Sequence, residues 1–295
     1  MPSPEMQGMI DMMRQMNPLG SADIDTMRAG MDAAPPYPKP DDIEWSSVDA
    51  GGVAAEWTTA SDSLEERVLV YFHGGGYVLG SAAGHRGMCS NLARATRSRV
   101  LNVDYRLAPE APFPAAVEDA VRAYRFVLEQ GVDPANVAIG GDSAGGGLTL
   151  ALLVALRDAG EPLPGAAVAL SPWVDMTMSS DSIQSKGDED PMLTPVTLDV
   201  LANAYLGGAD PKSPTASPLW ADLSGLPPLL IQVGTAELLL DEGRRLAETA
   251  TEAGVEVTFE AWDEMIHVWH LFADMVPEAR DAVARIGSYL EEKLG

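Results

Sequence analysis

An α/β fold, with a mostly parallel twisted sheet flanked by helices and a helical cap, is what this sequence predicts, and three observations carry it. From about residue 50 onward, apolar runs of strand length alternate with stretches of helical periodicity, the pattern of a parallel sheet covered on both faces. A chain of 295 residues that is 46% hydrophobic has enough apolar side chains for one large core. More than fifty residues separate a strand ending near Leu170 from the next, starting near Leu229. That is too long for a plain crossover and reads as an inserted cap over the sheet's C-terminal edge.

The elements follow in order. Residues 1–45 stand apart from the rest. Met6, Met9, Met12, Met13 and Met16 form a run of helical spacing, and Ala34-Pro35-Pro36-Tyr37-Pro38-Lys39-Pro40 ends any helix and stiffens the connection. Two readings of the methionines stay open: an adaptable cover over a pocket, or a helix docked on the core. The segment is assigned to the cap, followed by core residues 46–175, the inserted cap segment 176–215 and core residues 216–295. Strands are expected at 68–72, 100–105, 137–139, 166–170, 229–233 and 255–259. Helices are expected through Val117, Val121, Tyr124 and Leu128, from Leu148 onward, at 241–253 and at 277–293.

Two short motifs carry chemistry. Gly141-Asp142-Ser143-Ala144-Gly145 fits G-x-S-x-G, which puts a serine on a tight strand-to-helix turn with its hydroxyl projecting. Small neighbours are needed because strand and helix backbones approach closely there. His73-Gly74-Gly75-Gly76 is a glycine run whose N–H groups suit the negative oxygen of a tetrahedral intermediate. The expected oxyanion donors are the N–H groups of Gly74, Gly75 and Ala144, each worth roughly 3 kcal/mol in the transition state. His73 belongs to this motif and reads as a brace for its loop.

A serine hydroxyl needs an adjacent base, and the chain has four histidines, His73, His85, His267 and His270. His267 follows the last strand on a short loop and is the expected base; His270 reads as a packing residue. The orienting acid should follow the strand that ends at Gly234. Glu237 is favoured, with Asp241 its rival, read as a helix N-cap, and Asp175 more distant. The order Ser143, Glu237, His267 is that of α/β-hydrolases.

Composition excludes other classes. A net charge of −25 repels nucleic acid, anionic membranes and polyanionic substrates, so the expected partner is a small neutral ester. The charge itself reads as ordinary solubility. Cys89 is the single cysteine, so an intrachain disulfide is impossible, and it reads as a buried small hydrophobe. The N-terminus lacks a signal-peptide pattern, and a soluble, cytoplasmic protein is expected. Neither glycine run fits G-x-G-x-x-G, no phosphate-loop Gly-Lys-Ser/Thr occurs, and no cluster has metal-ligand spacing, so no cofactor and no metal are expected.

The sequence resembles the hormone-sensitive lipase family, the bacterial family IV esterases, over nearly all of the chain from Val68 onward. The match includes His73-Gly74-Gly75-Gly76-Tyr77, Asp104-Tyr105-Arg106-Leu107-Ala108-Pro109-Glu110, Phe113-Pro114-Ala115-Ala116, Gly141-Asp142-Ser143-Ala144-Gly145-Gly146, Ser171-Pro172-Trp173 and the strand from Pro227 to Gly234. The resemblance implies an α/β-hydrolase core, a cap built from the N-terminal segment and the insertion, and cofactor-free hydrolysis of short- to medium-chain carboxylic esters. It also implies that homodimers are common. Two positions depart from the family's pattern: its usual aspartate is Glu237 here, and Val268-Trp269 stand where many relatives have Gly-Phe after the histidine. Plant hormone receptors of the same family keep the pocket without the histidine; His267 argues against that binding role.

Overall fold

The computed structural model describes residues 1–16, 23–33 and 35–295. In chain order, helices α1 (Pro4–Met16) and α2 (Ile24–Asp32) precede strands β1 (Ile43–Asp49), β2 (Ala54–Ala60) and β3 (Leu64–Phe72). Then come α3 (Arg86–Thr96), β4 (Ser98–Val103), α4 (Ala115–Glu129), β5 (Val137–Asp142), α5 (Ala144–Asp158) and β6 (Ala166–Leu170). The insertion holds α6 (Ser182–Ser185) and α7 (Pro195–Leu206), after which β7 (Leu229–Gly234), α8 (Leu240–Glu252), β8 (Val257–Trp262) and α9 (Pro277–Leu294) complete the chain.

Among the described residues the strands form one sheet in the order β1-β2-β4-β3-β5-β6-β7-β8. Strands β1 and β2 are antiparallel to each other and β2 is antiparallel to β4, while the remaining pairs are parallel. After β3 the chain adds β4 on one side and β5 on the other, so the order reverses at β3. A parallel sheet opens a crevice at such a point, beyond the C-terminal strand ends. The glycine run leaves β3 and Ser143 leaves β5, with Phe72 paired to Gly141. The two motifs, about seventy residues apart in sequence, therefore meet because their strands are neighbours.

Helix α5 is apolar on nearly every side, and Leu148 to Val154 are all buried between the sheet and α4. Its first turn sits so close to β3 that a Cβ on Gly145 would lie 1.9 Å from the Phe72 carbonyl oxygen. Cys89, on the inner face of α3, is fully buried. In the insertion, Thr194 caps α7 by accepting the Thr197 N–H at 3.1 Å, and Pro195 occupies the first turn, where its missing N–H costs nothing.

One open choice is decided and one expectation needs correction. The methionine run lies on α1, whose Met6, Met9 and Met13 are buried with residues of α9, while Met12 and Met16 face solvent. Ser3 fastens this end through its N–H and Oγ to the Glu278 carboxylate, at 2.6 and 2.8 Å. The run is thus a docked helix and not a pocket cover; Met31 of α2 reaches the catalytic cavity instead. Asp241 lies inside the first turn of α8, one residue past its start, so it is not the N-cap, which is Leu239. The β1–β2 hairpin was absent from the sequence reading, and β8 starts two residues later than expected. No helix among the described residues is long and apolar enough to cross a membrane.

Gly145→Ala should cost at least about 3 kcal/mol, the upper end for overpacking, read as a lowered urea midpoint. Gly8→Ala, on the open face of α1 with nothing within 4 Å, should be neutral or stabilise by up to ~1 kcal/mol. A wild-type midpoint for the first variant would contradict the close packing described here.

Candidate active site

Ser143 sits at φ 54°, ψ −119° between β5 and α5, a conformation a non-glycine residue holds only at a cost of order 1–3 kcal/mol. Its surroundings hold it there. The Ser143 N–H donates to the Leu170 carbonyl at 2.8 Å, and its own carbonyl accepts N–H bonds from Gly147 at 3.1 Å and Trp173 at 2.9 Å. The hydroxyl faces a cavity of about 140 Å³ that is walled mainly by Met31, Leu79, Trp173, Met192, Leu193, Leu198, Leu201 and Leu271. Leu198 and Leu201 belong to α7, so the insertion supplies part of the roof.

The glycine run turns beside the serine. Gly75 has φ +117° and its carbonyl accepts N–H bonds from Val78 (3.1 Å) and Leu79 (2.8 Å), which folds the loop back on itself. A Cβ at Gly75 would lie 2.2 Å from the Leu79 carbonyl oxygen, so only glycine fits. The N–H groups of Gly74, Gly75 and Ala144 donate to no acceptor among the described residues. Gly74 and Gly75 both border the cavity. His73 hydrogen-bonds the Gly74 carbonyl through Nδ1 at 2.8 Å and stacks on Tyr105, with ring centroids 4.4 Å apart. Burial, followed by the charge of His85, pushes its pKa down to about 4, leaving it a neutral brace.

His267 lies on the loop after β8 and lines the same cavity. Its Nδ1 donates to Glu237 Oε2 at 2.7 Å, and Glu237 Oε1 accepts the Gly234 N–H at 2.8 Å. The bond at Nδ1 leaves Nε2 as the basic nitrogen. The next residue, Val268, takes a left-handed φ of 47° and anchors the turn by donating its N–H to Ser171 Oγ at 3.1 Å. Burial works against charging His267, yet the hydrogen bond and charge of Glu237 prevail and raise its pKa above the usual histidine value, with Asp190 and Asp142 adding. Burial pushes the Glu237 carboxyl up, opposed by its bond to His267 and reinforced by Asp190.

The rival acids are engaged elsewhere. Asp241 Oδ2 accepts the Ser182 N–H at 2.9 Å. Asp175 accepts from Thr177, Ser179 and the Trp220 indole. His270 bonds Gln232 Oε1 through Nε2 at 2.9 Å and lies against Trp269; burial lowers its pKa to about 3.

Three residues near the site escaped the sequence reading. Asp142 is the variable position of G-x-S-x-G, so the motif is silent about it. Its carboxylate accepts from Tyr71 OH at 2.7 Å and lies 3.5 Å from His85 Nε2. Burial raises the Asp142 pKa, but the charge and hydrogen bond of His85 outweigh it and bring it below the usual range. His85 is raised correspondingly: burial opposes charging and Asp142 overcomes it. Asp190, in the insertion, accepts the N–H of Leu238 next to Glu237 at 3.0 Å.

Glu242 of α8 props the cavity wall from behind. Its Oε2 accepts the N–H groups of Val174 (2.8 Å) and Asp175 (3.0 Å), while Oε1 is buried without a hydrogen-bond partner among the described residues. Burial, only partly offset by those two bonds and aggravated by Asp175, raises its pKa well above the ordinary 4.5.

Residues 69–271 match a family described by its alpha/beta hydrolase fold. An acetyl-hydrolase of Streptomyces hygroscopicus is 49% identical over 248 residues, spanning 84% of this chain and 83% of that protein. An esterase of Acinetobacter venetianus is 35% identical over 254 residues, spanning 86% and 84%. The crystal structure of an esterase from the bacterial hormone-sensitive lipase family superposes with a TM-score of 0.94 at 48% identity, covering 100% of both chains. The fold defines an α/β-hydrolase, and the chain belongs to the hormone-sensitive lipase family within that class. It is a carboxylic ester hydrolase.

A carboxyl whose pKa rises on folding takes up a proton, so its contribution to stability is complete below about 4.5 and declines as pH rises from there. Glu242→Gln cannot ionise and retains an oxygen for the Val174 and Asp175 N–H groups. Denaturant titrations should give it a flatter stability profile than wild type above that pH. An unchanged slope would contradict a protonated Glu242.

Proposed function

We propose that the chain is a serine esterase for short- to medium-chain carboxylic esters, working through an acyl-enzyme with Ser143, His267 and Glu237 as its triad. The observation that carries this reading is the buried 2.7 Å hydrogen bond from His267 Nδ1 to Glu237, made at the edge of the cavity into which Ser143 opens. Glu237 fixes the tautomer and orientation of the imidazole and stabilises the cation that forms as the serine proton is taken. The Ser143 oxygen attacks the ester carbonyl, and the carbonyl oxygen becomes an oxyanion facing the N–H groups of Gly74, Gly75 and Ala144. His267 then protonates the leaving alcohol, which departs and leaves the acyl group on Ser143. Water enters, gives its proton to His267 and attacks the acyl carbonyl; collapse releases the acid and returns the proton to Ser143.

The cavity supports the acyl-length range that the family resemblance implies: its walls are apolar and its volume of about 140 Å³ suits a few methylenes. The net charge of −25 favours neutral esters over anionic ones such as acyl-CoA.

Assays on p-nitrophenyl esters test the assignment. Ser143→Ala should lower kcat by about 10⁶. Glu237→Gln, whose amide favours the wrong tautomer, should lower it by about 10⁴, and Asp241→Ala should stay within a few-fold of wild type. Because His267 must be neutral to accept the proton and its pKa is raised, kcat/KM should fall with acid at a midpoint above the ordinary 6.5. Butyrate should be turned over far faster than laurate. An active Glu237→Gln together with an inactive Asp241→Ala would transfer the acid's role to Asp241.

A further inference from the structure

Asp190 sits where the insertion meets the loop that carries Glu237. It is 7% exposed, and both of its carboxylate oxygens are used. Oδ1 accepts the N–H groups of Met192 at 2.8 Å and Leu193 at 3.0 Å. Oδ2 accepts the Leu238 N–H at 3.0 Å, across 48 residues of sequence. Met192 and Leu193 line the substrate cavity, while Leu238 directly follows the residue that holds His267.

We propose that Asp190 is a positioning residue for ester hydrolysis, locking the cavity wall built by the insertion to the loop of Glu237 while its negative charge supports the His267 imidazolium. The proposal rests on the Ser143–His267–Glu237 assignment.

A turn cap needs one oxygen, and Oδ1 alone closes the Met192–Leu193 turn. The second oxygen does something else: it fixes the backbone of the acid loop. Burying a carboxylate is costly unless its oxygens are satisfied, and here three N–H donors satisfy them. Burial raises the Asp190 pKa, and the charge of His267 and those donors offset this only in part. The charge is felt at the base as well, since Asp190 helps raise His267.

The titratable groups facing His267 come from four parts of the fold. They are Glu237 after β7, Asp142 at the end of β5, His270 in the following turn and Asp190 from the insertion. Lys186 and Glu189, flanking Asp190, pair with each other at the surface at 2.9 Å. The insertion therefore adds a negative charge to the environment of the base as well as apolar walls to the cavity. A triad aligned through a contact of this kind loses rate when the contact loosens, because small misplacements of reacting groups are expensive.

The test is Asp190→Asn in the full-length protein, with kcat and KM measured on p-nitrophenyl acetate and butyrate between about pH 5 and 9, alongside a thermal melt. Asparagine keeps the shape and can cap the turn, but it loses the charge and turns an amide N–H₂ towards the Leu238 N–H. The folded variant should lose about tenfold or more in kcat, and the acid limb of kcat/KM should move to lower pH. A purely structural carboxylate would lower the melting temperature and leave the limb and the kcat of the folded protein unchanged, which would overturn the proposal. If Asp190→Asn does not fold, Asp190→Ser is read in its place by the same criteria. Failure of both to fold would also overturn it, by making Asp190 a support of the fold. His267→Ala run in parallel separates the two readings. Retained activity there removes the triad assignment itself, whereas an inactive His267→Ala beside an unshifted Asp190→Asn removes only the positioning role.

Discussion

The structure depends on the turn at Ser143, where a strand becomes a helix within one residue of left-handed backbone. Two residues before it and two after it, nothing larger than glycine fits: a Cβ at Gly141 would lie 2.4 Å from the Gly145 backbone, and one at Gly145 would strike Phe72. The strain at Ser143 is held by three backbone hydrogen bonds and by the burial of α5 against the sheet. One of those bonds comes from Trp173, so the turn also fixes the cavity wall after β6. Glu242 braces the next two residues from behind. Ser143, the cavity wall and the α8 brace thus form one connected unit.

Electrostatics set the second constraint. Ester hydrolysis develops an oxyanion, and the surrounding chain is strongly acidic, with buried carboxyl groups at Asp142, Asp190, Glu237 and Glu242. Each is answered locally. Asp142, beside the glycine run, is faced by His85 and Tyr71, which limits the negative field at the proposed oxyanion position. Glu237 and Asp190 lie on the side of His267, where negative charge would help in the proposed mechanism, in which the imidazole becomes a cation in the same step. Burial raises the pKa of Glu242 and so disfavours its charge. The arrangement separates charge by task, a pattern found where neighbouring ionisable groups have their pKa values pushed in different directions.

The sequence made the core and the chemistry legible where local rules and tertiary need agree. Strand β6 has the bounds read from its five apolar residues, and Ser143 follows from G-x-S-x-G because few local structures satisfy that glycine spacing. The contact of Glu237 with His267 fits its place three residues past Gly234, close enough for its carboxylate to bond back to that residue's N–H. Other features had no local signature. Strand β1 has one fully buried residue in seven, so the apolar alternation that marks a strand is missing. The spacing of the methionine run gave the helix, but nothing in it says which surface receives the buried face; α9 does. Asp241 looked like a cap because acidic residues favour helix starts, a preference that extends through the whole first turn. Asp190 and His85 act through contacts with residues distant in sequence, which no spacing rule expresses.

The central claim, that Ser143 forms the covalent intermediate, is tested most directly by trapping. The protein would be treated with a dialkyl p-nitrophenyl phosphate, which phosphorylates an activated serine and releases p-nitrophenol, then digested and analysed by mass spectrometry. A single dialkylphosphoryl adduct on Ser143, forming in step with the loss of esterase activity, is the predicted result. Complete inactivation with the adduct on another residue, or with Ser143 unmodified, would contradict the account.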